Sequence, residues 1–258
     1  MHITTNAIVL REQPVDEFDS VLTLLTRDCG IISAYARGAR KPRGTMRVSV
    51  ELLSYSCFVL FRNKDKYAVD KADLDNVFMG VRADVEKLSL AAYFCQLAAE
   101  LAPREEDAQD YLRLLLNSLY LLDQNKRSCE FVKPVFELRL MAMAGYMPDL
   151  VACAGCGCYE AEQMYFMPLS SGIVCGGCAA GLPDSEQRVP ISKGVLTAMR
   201  HILYSEQEKL FRFSLPQPAL ERLGEITQRY IMVQLDKRFD TLDFYYSIRK
   251  NEPSVDRK

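Results

Sequence analysis

The sequence predicts an α+β chain of several domains: a small N-terminal β-barrel, then a helical domain interrupted by a four-cysteine insert. Three observations carry that expectation. Up to about residue 80, short runs rich in Val, Ile, Thr, Tyr and Leu alternate with turn signals. From "GVRAD" onward, apolar residues recur at three- and four-residue spacing. Between residues 151 and 182, five of the nine cysteines crowd together.

The strand-like runs are "HITTNAIVLRE", "SVLTLLTR", "GIISAYARG", "RVSVELLSYSCFVLFR" and "KYAVDKADL". They are separated by "REQPVDEFDS", "RDCG", "RKPRGT" and "RNKDK". The last of these, a polar turn between apolar runs, suits a hairpin. Five short strands in so short a stretch predict a closed barrel, and an OB-type barrel is the natural candidate. By pattern alone "SVLTLLTR" fits a short helix equally well.

The helical pattern begins at "VEKLSLAAYFCQLAAELA", with Asp84 as the expected N-cap and Pro103 closing the segment. "DAQDYLRLLLNSLYLLDQN" is a second helix. "SCEFVKPVFELRLMAMAGYMP" is a third, with Pro134 in its first turns and Gly145 as the stop. After the cysteines come "SKGVLTAMRHILYS", capped by Ser192, then "PALERLGEITQRYIMVQLD" and the aromatic "LDFYYSIRK". The expected domains are 1–80 (barrel), 81–150 and 183–250 (two parts of the helical domain), 151–182 (cysteine segment) and 251–258 (polar tail).

Composition is consistent with this plan. The chain has 258 residues, 49% of them hydrophobic, enough for two or three small cores. A charged fraction of 26% excludes wholesale disorder. No apolar run approaches the roughly 20 residues of a membrane span. The N-terminus lacks the basic region, apolar core and cleavage site of a signal peptide. A cytoplasmic location without membrane contact is expected.

Cys153, Cys156, Cys175 and Cys178 form two Cys-x-x-Cys pairs separated by 18 residues. Such pairs present four thiolates to one ion, the preferred tetrahedral environment of Zn²⁺. Gly155, Gly157, Gly176 and Gly177 permit positive φ angles and leave backbone N–H groups free for the sulfurs. "EQMYFMP" and "GIVC", joined by "LSSG", read as a hairpin that brings the second pair onto the first. Cys158 is a fifth cysteine and an alternative to Cys156. Four cysteines with no nearby histidine predict a closed structural zinc, one per chain, rather than a catalytic ion with an open position. Cys29, Cys57, Cys95 and Cys129 are scattered.

The second concentration of chemistry is "YARGARKPRGTMR". Arg37, Arg40, Lys41, Arg43 and Arg47 lie between Asp28 and Glu51 with no acidic residue intervening, in a chain of formal net charge −2. The positive field is therefore local. On a barrel that binds single strands, basic side chains hold phosphates and aromatic rings stack on bases. Tyr35, Tyr55, Phe58, Phe61 and Tyr67 are the candidate platforms, most of them expected in the core, and Lys64 and Lys66 extend the rim. Lys237, Arg238, Arg249 and Lys250 read as a helix face and tail.

Catalytic signatures are missing. There is no G-x-x-x-x-G-K-[ST] loop, no G-x-S-x-G elbow and no His-x-Glu ahead of a Pro-Cys-x-x-Cys. The acidic groups in "PVDEFDS" and "REED" read as turns or caps, and His201 as a helix residue. No enzyme is expected. An RNA-binding barrel with a structural zinc remains the alternative, since charge does not separate RNA from DNA.

Three stretches together resemble the bacterial RecO family of recombination mediators and DNA repair proteins: "DEFDSVLTLLTRDCGIISAYARGARKP", "FELRLMAMAGYMPDLVACAGCG" and "FMPLSSGIVCGGC". The resemblance implies an N-terminal OB barrel, a helical domain and, in many members, a four-cysteine zinc site. It implies binding to single- and double-stranded DNA, strand annealing without turnover, and a nucleoid-associated role. The implied partners are RecR and the C-terminal tail of the single-stranded-DNA-binding protein, in loading RecA. DNA contact is carried onto Arg37, Arg40, Lys41, Arg43 and Arg47. The extra Cys158 departs from the family's pattern.

Overall fold

The fold is that of a computed structural model describing residues 1–42, 44, 46–64, 66–183 and 185–251, with the backbone alone for 250 and 251. Arg43 lies outside the described residues. Two compact units form: Met1–Lys126 together with the stretch from Phe239 onward, and Arg127–Arg238.

The first unit opens with five strands: β1 His2–Pro14, β2 Ser20–Thr26, β3 Gly30–Ala36, β4 Ser54–Asn63 and β5 Lys66–Val77. They close in the order β1-β2-β3-β5-β4, the barrel expected from the sequence. β1 completes the ring on β4, antiparallel from His2↔Phe61 to Ile8↔Tyr55. β3 meets β5 in a short parallel pairing, Ala34↔Tyr67 and Tyr35↔Ala68. Because side chains alternate along a strand, Val9, Leu22, Ala34, Phe58, Leu60 and Val69 fill the interior. "SVLTLLTR" is a strand, as its β-branched residues and its pairing with β1 and β3 require. "RVSVELLSYSCFVLFR" is a strand only from Ser54. Val48–Val50 is a 3-10 turn, and the Ser54 and Ser56 hydroxyls donate to the Val48 and Ser49 carbonyls, fixing that turn under the strand.

Helices α1 Met79–Arg82, α2 Val85–Leu101 and α3 Gln109–Asp123 follow, and α8 Asp240–Asn251 returns to this unit. Asp84 caps α2 by accepting the Lys87 N–H at 3.1 Å. α2 packs on β1 and β2, and α8 packs on α2. Arg249 reaches Glu86 at 3.2 Å, and the Tyr93 and Phe239 rings meet edge-on at 5.7 Å. In "REED", Asp107, one residue ahead of the N-cap position of α3, accepts the Gln109 N–H at 3.2 Å.

The second unit holds α4 Cys129–Met143, a four-stranded sheet, α5 Gly176–Ala179, α6 Lys193–Tyr204 and α7 Gln217–Leu235. α4 ends where Gly145 turns to φ +91, with the Tyr146 N–H bonded back to the Met141 carbonyl. Within α4, Lys133 and Glu137 form a buried ion pair at 2.8 Å, and the Glu137 carboxylate links α4 to α7 by accepting the Thr227 hydroxyl at 2.6 Å. A buried charge left without such partners is costly. The sheet runs β6-β8-β7-β9: β6 Asp149–Cys153, β7 Met164–Met167, β8 Gly172–Cys175 and β9 Val189–Ile191. β7 and β8 are the expected hairpin, from Met164↔Cys175 to Met167↔Gly172.

Candidate metal centre and nucleic-acid interface

β6 ends at Cys153 and β8 ends at Cys175. The two strands are parallel neighbours, with Cys153 opposite Ile173, so both Cys-x-x-Cys loops leave the same end of the sheet. The sulfurs of Cys153, Cys156, Cys175 and Cys178 all lie within 4.8 Å of one another. Cys153 and Cys175 are buried, Cys178 is half-buried and Cys156 exposed. These four can hold one metal ion. Cys158 is outside the set, although its backbone carbonyl accepts the Cys153 N–H at 2.8 Å.

The backbone is arranged around the sulfurs. Cys153 Sγ accepts the Gly155 N–H at 3.4 Å and the Cys175 N–H at 3.3 Å. Of the four glycines in the loops, only Gly157 takes a positive φ, +74. Gly155 serves another purpose: a Cβ there would stand 2.9 Å from the Cβ and Sγ of Cys178. α6 supports the first loop. Arg200 stacks on Tyr159 at 3.9 Å and donates to the Leu150, Val151 and Tyr159 carbonyls.

Burial works against ionising Cys153, but N–H groups, led by that of Cys175, bring its thiol down to about 6. Cys175 is also lowered, chiefly by the Cys178 N–H. Their neighbours are pushed the other way: Cys178 to about 12, mainly through Cys175, and Cys158 to about 12, mainly through Cys156. Sulfurs this close cannot all carry charge unaided, and a bound cation would supply what the cluster lacks.

The basic run forms the connection between β3 and β4. Arg37, Arg40, Lys41 and Arg47 are exposed, while Ala39, Met46 and Val50 pack into the barrel core. The connection is tied to the β1–β2 loop. The Arg40 N–H donates to the Phe18 carbonyl at 2.9 Å and the Gly38 N–H to Asp19 Oδ1 at 2.7 Å. The Tyr35 hydroxyl donates to Asp19 Oδ2. Asp16 Oδ1 accepts the Phe18 and Asp19 N–H groups, a turn. Asp19 is held below the ordinary carboxylate range, first by the Tyr35 hydroxyl and then by the Gly38 N–H, with Arg37 and Lys41 adding to it. The fold therefore sets Asp16 and Asp19 beside a run that has no acidic residue in its own sequence. Of the candidate aromatics, Phe58 and Tyr67 are buried, Tyr55 is half-buried and its hydroxyl accepts from Asn6, and Tyr35 and Phe61 are exposed. Lys64 and Lys66 are exposed at the β4–β5 turn. His201 meets Phe213 edge-on at 5.1 Å, a structural setting.

A closed five-stranded barrel with a basic connection, followed by helices and a four-cysteine cluster able to hold a metal ion, is the architecture of a nucleic-acid-associated accessory protein. Comparison with known proteins gives the family. Residues 1–78 match the model described as Recombination protein O N terminal, and residues 82–243 match Recombination protein O C terminal. The chain is 35% identical to the DNA repair protein RecO of Acetivibrio thermocellus, covering 94% of this chain and 96% of that one. It is 30% identical to that of Alkaliphilus metalliredigens, over 94% and 98%, and 31% identical to that of Dehalococcoides mccartyi strain ATCC BAA-2266, over 90% of each. The chain belongs to the RecO family, whose role is that of a mediator in DNA repair and recombination. Among the described residues, no helix is long and apolar enough to cross a membrane.

Proposed function

We propose that this chain binds single- and double-stranded DNA through the connection between β3 and β4, with Arg37, Arg40, Lys41, Arg43 and Arg47 on the phosphates. The observation that carries the reading is a loop whose apolar residues anchor it in the barrel while four of its basic side chains face solvent. Arginine forks suit phosphate oxygens and stay charged at every relevant pH. Neutralising phosphates lowers the repulsion between two strands and releases counterions, which favours annealing without any chemical step. With RecR, and by docking the C-terminal tail of the single-stranded-DNA-binding protein, the chain helps load RecA at the nucleoid. It does so as a scaffold rather than an enzyme.

The metal is Zn²⁺, one per chain, held by Cys153, Cys156, Cys175 and Cys178. Thiolates about 2.3 Å from a tetrahedral ion stand about 3.8 Å apart, and Cys156 Sγ lies 3.7 Å from Cys175 Sγ. Four sulfurs leave no open position, so the ion's contribution is to stability.

The test is titration of labelled single-stranded and duplex DNA at low salt, with matched RNA as competitor. Binding to both DNA forms, with RNA the weaker competitor, is expected. No DNA binding at low salt contradicts the reading, and stronger binding to RNA replaces it with the RNA-binding alternative.

A further inference from the structure

One row of the barrel's outer face is aromatic. Tyr35 of β3 lies opposite Ala68 of β5, Ala68 opposite Phe61 of β4, and Phe61 opposite His2 of β1. Directly opposed residues project from the same face of a sheet. Here that face is the outer one, because the adjoining Ala34, Tyr67 and Leu60 point into the core. Tyr35 is 39% exposed and Phe61 43%. The Phe61 ring is braced by His2, 5.3 Å between centroids, and the Tyr35 ring is fixed by its hydroxyl on Asp19. Ala68 between them is too small to cover either ring.

Charge flanks the row. Arg37 lies two residues beyond Tyr35, and Lys66 two residues before Ala68 in the parallel β5, so exposed cations stand on both sides. Asp70, on the Arg37 side, lies 3.8 Å from His2. Neighbouring strands are about 4.8 Å apart, so Tyr35 and Phe61, two strands apart, stand roughly 10 Å from each other across the sheet. That is well beyond the ~3.4 Å stacking repeat of a helical strand, so the two rings suit separate, unstacked bases and not the closed stack of a duplex.

We infer that Tyr35 and Phe61 are base-stacking platforms for a single-stranded nucleic acid that crosses β3, β5 and β4, with Arg37 and Lys66 on its phosphates. The inference rests on the nucleic-acid reading above and adds to it the means of telling single strands from duplex. Phosphate contacts serve both forms; stacking serves only the strand whose bases are free.

The experiment uses the full chain, an oligothymidylate strand and a duplex. Tyr35→Ala with Phe61→Ala lowers single-strand affinity by roughly 5- to 100-fold per ring. Phe61→Ala alone, which removes no contact of the basic connection, leaves duplex affinity and the slope of log K against log salt unchanged. Both rings are exposed, and a thermal melt matching the wild type confirms that the variant folds. The chain contains no tryptophan, so Phe61→Trp supplies a single reporter whose emission the single strand quenches and the duplex does not. A double variant that binds single strands as tightly as the wild type, or a reporter insensitive to them, overturns the platforms alone. A wild type that binds no single strand at low salt overturns the nucleic-acid reading and the platforms together.

Discussion

The cysteine cluster and the basic connection are built in opposite senses. Around the cysteines the backbone faces inward: N–H groups of Gly155 and Cys175 point at the Cys153 sulfur, and all four sulfurs converge within 4.8 Å. In the connection between β3 and β4 the backbone bonds to itself and to the β1–β2 loop, the apolar side chains enter the core and the basic ones reach solvent. The first arrangement can hold a small ion; the second presents a broad positive field to solvent. The proposed zinc would carry stability in one place, and its loss would be abrupt. The proposed phosphate contacts would carry affinity in increments, and their loss would be graded.

The largest effect is expected at the cysteines. Cys153→Ser removes the buried sulfur that takes two N–H bonds. Small structural zinc sites contribute on the order of 10 kcal/mol in metal binding. The expected result is a fall in bound zinc from about one per chain to near zero, with rapid proteolysis of residues 149–191, read by elemental analysis and limited digestion. A variant that keeps its zinc and its resistance contradicts the assignment. Gly155→Ala tests the crowding. Its Cβ must displace Cys178, and overpacking of this kind costs about 1–3 kcal/mol, seen as weaker zinc retention against a chelator. Retention equal to the wild type shows that the loop yields.

Smaller effects sharpen the basic side. Asp19→Ala removes the acceptor of both the Gly38 N–H and the Tyr35 hydroxyl, so the Gly38 amide exchanges faster at neutral pH. Because the folded-state pKa of Asp19 is lowered, its contribution is complete above the ordinary aspartate range and fades as pH falls below it. Wild-type protection should drop there, and the variant's should not follow it; parallel curves count against the tie. Smallest of all is Cys158→Ser. With Cys158 outside the sulfur cluster, zinc content stays at about one per chain. A loss would make Cys158 the ligand in place of Cys156.

Much of this was legible in the residues, for reasons that differ by region. Two Cys-x-x-Cys pairs are local signals, since each short loop fixes where its own sulfurs go, and the "LSSG" hairpin joins them. The barrel was legible from five β-rich runs. Its strand β2 was ambiguous because seven residues of mixed burial fit either period, and only pairing with β1 and β3 decides. The 3-10 turn at Val48–Val50 was hidden because its β-branched residues imitate a strand, whereas the deciding contacts are the Ser54 and Ser56 hydroxyls. Asp19 beside Gly38 was hidden as well. The β1–β2 loop and the basic run meet only through the pairing of β2 with β3, and no spacing rule reports that. Nor does one report which of five aromatics face outward, because that needs the register.

The central claim is that the exposed basic side chains of the β3–β4 connection hold phosphates. The most direct measurement is the slope of log K against log salt for single-stranded DNA, wild type against the variant with Arg37, Arg40, Lys41 and Arg47 changed to Gln. Each single-strand phosphate contact contributes about 0.7 to that slope, so the account predicts a slope flattened by up to about 2.8, with a corresponding loss of affinity at low salt. An unchanged slope and affinity would contradict it.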